Sequence, residues 1–163
     1  MEKLAELYKR WKGEAPVSMT KLPEAGSSRK YYRITGNDGE SVIGVVGNSR
    51  DENHTFIYLT KHFTDRKLPV PHILAVDDDE LRYLQTDLGS TSLFDVLRGG
   101  RESGGRYNMR EKQLLTAVIR ELPNIQIRGA RGLDWDVCYP QPEFDVDSVL
   151  FDLNYFKYCF LKA

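Results

Sequence analysis

Gly26, Ser27 and Ser28 make a short turn of small residues between two β-prone runs, and the basic residues Arg29, Lys30 and Arg33 follow directly. A loop with one glycine and two hydroxyls, held between strands, can lay backbone N–H groups against an anionic ligand such as a phosphate. The same residues can also turn the chain and do nothing more. Ser49-Arg50-Asp51-Glu52 reads as a capping box, in which the Ser49 hydroxyl and the Glu52 carboxylate satisfy each other's backbone amides at a helix start. Asp77-Asp78-Asp79-Glu80 lacks the spaced oxygen ligands and the glycine of a calcium loop, so the simplest expectation is a solvated turn without chemistry. His54, His62 and His72 do not combine with Cys138 and Cys159 into a zinc ligand set, and no metal site or disulfide framework is predicted.

The elements that must carry the loop are readable from periodicity. Leu4, Leu7, Tyr8 and Trp11 form one apolar stripe, which predicts a helix over Glu2 to Lys12 that ends at Gly13. Val17 to Leu22 is the expected first strand, Lys30 to Ile34 the second and Val42 to Val46 the third. Gly36 and Gly39 around Asn37 and Asp38 supply residues that tolerate positive φ, so a hairpin joins the second strand to the third. The Ser49 helix should bury Phe56, Leu59 and Phe63 before Pro69 and Pro71 force an extended chain. His72 to Val76 and Leu81 to Gln85 complete a set of five strands, and a short capped helix spans Ser92 to Leu97. From Arg98 to Tyr107 the chain carries four glycines and no apolar residue before Tyr107, which predicts a mobile linker. Asn108 with Glu111 caps a further helix whose apolar face is Leu114, Leu115, Val118, Ile119 and Leu122, with Pro123 ending or kinking it. The last segment is apolar on too many sides for a surface helix.

At 163 residues, folding can bury roughly 70 percent of the unfolded chain's surface, enough for a real core. The net charge of −1 supplies no field to recruit nucleic acid or an anionic membrane. The first residues are charged throughout, and no apolar run approaches a membrane span, so the expected setting is cytoplasmic.

The order helix, β-β-β-α-β-β, linker, helices resembles the small lobe of kinase-like phosphotransferases. The run Ala25 to Ile34 is similar to the loop and second strand of the bacterial amino-sugar and aminoglycoside phosphotransferase family. The stretches Leu68 to Asp77 and Leu81 to Gly89 resemble that family's fourth and fifth strands and hinge, and the terminal Phe151 to Lys162 resembles the helix before its catalytic lobe. The sugar kinases that phosphorylate N-acetylmuramate and N-acetylglucosamine at the anomeric position are the most similar members. The resemblance implies an α+β fold, a five-stranded antiparallel sheet with a packed helix over residues 1–97. A flexible linker over 98–107 and a helical start of a truncated catalytic lobe over 108–163 would follow. It implies ATP under the loop Gly26, Ser27, Ser28 and Arg29, with adenine against backbone groups near Gln85, Asp87 and Leu88. A sugar acceptor is the implied partner, and magnesium would be bound by a large lobe beyond this chain, with no catalytic residue inside it. Two departures qualify the likeness. Val42 to Gly47 holds no basic residue where such proteins carry a phosphate-binding lysine, and Glu52 is the candidate acidic partner for whichever of Lys30 or Arg33 replaces it. No His-x-Asp loop or later magnesium ligand follows, so the expectation is a fragment that is not catalytically competent alone. A noncatalytic kinase-like regulatory module, or a plain α+β interaction domain, accommodates the same departures.

Overall fold

The computed structural model describes residues 1–24, 26 and 28–162. The first helix, α1 (Glu2–Lys12), buries Leu4, Leu7 and Tyr8 and stops where Gly13 takes φ +87°, its N–H returning to the Lys9 carbonyl at 2.9 Å. Strands β1 (Ser18–Lys21), β2 (Lys30–Thr35) and β3 (Ser41–Val46) follow, then α2 (Arg50–Asp65), β4 (Ile73–Val76) and β5 (Arg82–Thr86). The five strands form one antiparallel sheet in the order β1-β2-β3-β5-β4, and the fold is α+β. The helices α3 (Leu93–Val96), α4 (Arg98–Glu102), α5 (Met109–Pro123) and α6 (Val146–Phe156) complete the chain, with π-helical turns at Asn124–Arg128 and Lys157–Leu161. Two compact units result, Met1–Leu133 and Asp134–Ala163. Among the described residues no helix is long and apolar enough to cross a membrane.

Both faces of the sheet are covered, and strand alternation divides the core in two. Tyr32, Ile34, Val42 and Leu84 meet Leu4, Leu7 and Tyr8 of α1 on one face. Ile43, Val45 and Tyr83 lie on the other, with Phe56 and Ile57 of α2, Leu22 and Tyr31 against them. The central β3 is therefore buried on both sides, which is why its sequence is an unbroken apolar run instead of an alternation. Gly44 lets α1 close on the sheet: a Cβ there would stand 2.6 Å from Ile34 Cδ1 and 2.9 Å from Leu4 Cδ2. Gly36 does a similar service in the hairpin, where a Cβ would stand 2.5 Å from the Tyr8 hydroxyl. Only Gly39 of that pair takes positive φ, +78°.

Several expectations are corrected. Phe56, Leu59 and Phe63 of α2 are half-buried, while Asn53, Thr55, Thr60 and His62 are the residues it buries. His62 is held by its Nε2, 2.8 Å from the Gly129 carbonyl oxygen, and Arg66 donates to the Arg131 carbonyl at 2.9 Å. The far end of α2 thus meets polar backbone from a distant segment beside the Phe63 and Leu68 side chains.

The predicted linker, 98–107, is occupied by α4 and a turn. The Tyr107 ring lies so close over Gly100 that a Cβ there would stand 2.0 Å from it. Glu111, buried, closes the capping box with Asn108 and also accepts from the Gly100 N–H at 2.9 Å. Four glycines argue for freedom, but a buried carboxylate and an aromatic ring order the segment. On α5, Val118, Ile119 and Leu122 are exposed, as are Phe151, Tyr155, Phe156 and Phe160 in the second unit. Pro123 ends α-geometry without ending the helix, which continues as the π-helical turn.

Gly44→Ala is expected to lower unfolding free energy by about 1–3 kcal/mol, because the added methyl meets the tips of the fully buried Leu4 and Ile34 side chains, which must shift to admit it. Urea denaturation of the variant measures it, and unchanged stability would show that α1 does not depend on close approach at this strand.

Candidate functional site

Two polar clusters lie on the α2 face of the sheet, one at each end of β2. Alternation puts Tyr31 and Arg33 on that face, and Arg29, one step before the strand, reaches α2 directly. The clusters are separated by four residues of extended chain, about 13 Å.

The first cluster is built by the N-terminal turn of α2. The Ser49 hydroxyl accepts the Glu52 N–H at 3.2 Å and fixes the helix start. The Glu52 carboxylate pairs with Arg29 Nη2 at 3.0 Å, a different partner from the one a capping box requires. Arg29 is tightly held: its Nε donates to Asn53 Oδ1 at 3.2 Å, its Nη2 to the Glu52 carbonyl at 3.1 Å, and its guanidinium stands 5.0 Å from the Phe56 ring centroid. Its side chain is 11 percent exposed. Asn53 is fully buried and donates from Nδ2 to the Glu80 carbonyl at 2.8 Å. Gly47 makes room for it, since a Cβ there would stand 2.4 Å from the Asn53 amide.

The acidic turn is correspondingly far from a free solvated loop. Glu80, at φ +55°, is gripped by Asn53 through its carbonyl and by His54 and Arg50 through its carboxylate at 3.0 and 3.2 Å. The His54 contact and then Arg50 hold the Glu80 carboxyl below its usual range, against the opposing cost of burial. Asp77 takes Arg82 at 2.9 Å and Arg10 at 2.5 Å, and Asp79 takes Arg82 at 2.9 Å. The turn is a fastening between α1, α2 and the sheet. An open hollow of about 680 Å³ lies between it and α1, lined by Lys3, Glu6, Lys9 and Arg10 among others, away from the predicted loop.

The second cluster surrounds Asp87, just past β5. Its carboxylate accepts from Arg33 Nε and Nη2 at 2.5 and 3.0 Å, from Ser41 Oγ at 2.7 Å and from the Gly89 N–H at 2.8 Å. The side chain is 6 percent exposed. The Arg33 guanidinium, helped by Ser41 and Gly89, pulls the carboxyl from its ordinary value near 3.8 down to about 2 against the cost of burial. Asp87 is therefore committed to bracing the exit of β5 against β2 and β3, and it has no vacant oxygen for magnesium or a ligand. Between the clusters, the Tyr83 hydroxyl and Gln85 Oε1 are buried without a hydrogen-bond partner among the described residues. Burial raises the Tyr83 pKa above its ordinary value.

The predicted site residues thus separate. Arg29 and Glu52 meet. Gly26 and Ser28 are exposed beside them in sequence, and Ser27 lies outside the described residues. Gln85 is on β5 opposite Ile43, Asp87 faces Arg33, and Leu88 is 73 percent exposed. Neither proposed substitute for the strand lysine meets Glu52: Arg33 serves Asp87, and Lys30 is exposed on a position that alternates away from α2. Asn53 was missed, because a polar residue in a first helical turn reads as solvated. The signal for it was Gly47, a side-chain-free position closing a buried strand. Among the described residues no three His, Cys, Asp or Glu side chains converge to hold a metal ion.

Because the folded pKa of Asp87 lies below the unfolded one, its contribution is fully present above about pH 4 and is lost as pH falls toward about 2. Linkage makes that contribution about 2 kcal/mol, with about half gone by pH 3. Asp87→Asn should be less stable at pH 7 by about 1–3 kcal/mol and should lose that acid dependence. Urea unfolding of both chains at pH 7 and pH 3 tests it, and a gap of equal size at both values would remove the charge from the account.

Compared with protein-family models and with curated proteins, the chain matches none.

Proposed function

We propose that this chain is the nucleotide-binding small lobe of an ATP-dependent, cytoplasmic phosphotransferase acting on a hydroxyl of an amino sugar or aminoglycoside-like molecule, with magnesium ligands and catalytic groups outside residues 1–163. The observation that carries the reading is the pair of clusters on one sheet face: a cation–carboxylate pair between the Gly26 loop and α2 at one end, and the Gln85 to Leu88 exit of β5 at the other. That spacing suits an extended nucleoside triphosphate, with the base against apolar strand residues and the phosphates toward the loop. The strand order β1-β2-β3-β5-β4, with α2 between β3 and β4, agrees with it. So does the buried, unpartnered Gln85 Oε1, since buried acceptors without donors are costly and a base amine would supply one. The exposed apolar rows of α5 and of the terminal segment are the surfaces that a large lobe would cover. A second reading, a noncatalytic nucleotide- or protein-binding module, is favoured by the absence of any basic residue on β3.

Without magnesium ligands the affinity should be low, on the order of a millimolar dissociation constant or about −4 kcal/mol. Titration with ATP should move backbone amide resonances at Gly26 to Arg29 and at Gln85 to Leu88 together, because one ligand spans both. Nothing lies within 4 Å of a Cβ built on Gly26, so Gly26→Val meets open space there and should weaken the response by obstructing phosphate. If saturating ATP moves neither region, the nucleotide site is disproved.

A further inference from the structure

A helix in a folded protein draws most of its stability from packing one face against something else. In the second unit α6 (Val146–Phe156) and the π-helical turn Lys157–Leu161 form one unbroken run, joined at Lys157 with φ −58° and ψ −49°. Among its described residues only Ser148 is not exposed. Ser148 accepts a hydrogen bond from the Gln141 side chain, and with Pro140, Phe144 and Phe151 it lines a hollow of about 380 Å³. The irregular stretch before the helix therefore lies along one side, and the other side is bare.

On the bare side the apolar residues keep a strict spacing. Val146, Val149, Leu153, Phe156 and Phe160 recur at intervals of three, four, three and four, which is the seam of a two-stranded coiled coil. All five are exposed, from 41 percent at Val149 to 73 percent at Val146. The π-helical turn does not break the stripe, since the Phe156 and Phe160 rings stack with centroids 5.2 Å apart. Asp152 and Lys157 flank the stripe, one on each side. Five residues are about 140° of helix, too far round for the two to pair within one chain. Across a parallel pair of these helices, the same spacing sets Asp152 of each copy opposite Lys157 of the other. An antiparallel pair would bring the two Asp152 flanks together and the two Lys157 flanks together, like against like. An unrelated apolar partner requires no acid and base set five apart on opposite flanks, whereas a copy of the same helix supplies both complements at once.

We infer that this stripe is a self-recognition surface: two copies of the chain pair through α6 and its π-helical extension, parallel and in register, with Asp152 and Lys157 closing both flanks. The contact is isologous, so it closes at two. It does not rest on the nucleotide site. Phe151, Tyr155 and Tyr158 lie off the stripe, and a large lobe of the kind proposed above would take that side.

Sedimentation of the full chain over a concentration series should show a monomer–dimer equilibrium. Leu153→Asp puts two carboxylates into the seam and should abolish the dimer. Asp152→Lys and Lys157→Asp each turn two attractive contacts into two repulsive ones and should weaken dimerisation by about tenfold, while the double swap restores it. The three residues are exposed, and unchanged amide resonances of β3 and β5 would show that each variant keeps the rest of the fold. A chain that stays monomeric throughout, or one that assembles without limit, overturns the pairing. A dimer that Leu153→Asp leaves intact uses another surface and overturns it too. A dimer lost with Leu153→Asp but indifferent to the single swaps, or not rescued by the double one, overturns the parallel register. Whether ATP moves the Gly26 loop has no bearing on these outcomes, so the nucleotide reading and the pairing fail separately.

Discussion

Asn53 is the buried amide on which the α2 face depends. A primary amide taken out of water costs several kcal/mol unless its donor and acceptor both find partners. Here Oδ1 accepts from Arg29 and Nδ2 donates to the Glu80 carbonyl, so one side chain joins the loop before β2, the start of α2 and the turn between β4 and β5. Gly47 leaves the space it occupies. The three segments are distant in sequence and would otherwise be three separate loops. Satisfying one amide requires all of them at once, which makes the arrangement cooperative.

The same requirement orients the electrostatics around it. Glu80 is held in a left-handed backbone conformation that a non-glycine residue seldom adopts, and its carboxylate and carbonyl are both used in holding it there. Arg29 cannot swing into solvent without releasing Asn53, and Glu52 adds a charge to the same grip. The cation beside α2 is thus rigid, which is what distinguishes it from Lys30, exposed a single residue later.

At the opposite end of β2, the equivalent constraint is ionic. Arg33, Ser41 and the Gly89 N–H converge on the buried Asp87 carboxylate, and the strand exit is braced by a forked guanidinium contact. Acidic residues at that location invite a ligand-binding interpretation from sequence. The Asp87 carboxylate itself is engaged by these partners, because one already accepting four hydrogen bonds has little left to offer. What remains for a ligand is backbone near Leu88 and the unsatisfied amide oxygen of Gln85.

Periodicity alone determined α1 to the residue and all five strands to within a residue or two, because apolar spacing reports which face is buried and glycine or proline reports where an element must stop. The Ser92 and Asn108 caps were equally legible, since capping is a local interaction between near neighbours. Long-range pairing was not. Glu52 was read as a reciprocal cap and holds Arg29; Asp77 to Glu80 was read as solvent-facing and has the side chains of Asp77, Asp79 and Glu80 in ion pairs; the glycine-rich 98–107 stretch was read as mobile and holds a short helix against Tyr107 and Glu111. In each case the local signal was sound, but the partner came from a residue that only the folded chain brings near. Tertiary structure alone decided which basic residue meets Glu52. Composition offers Arg29, Lys30 and Arg33 within five positions, and the pleat and the seat on α2 select among them.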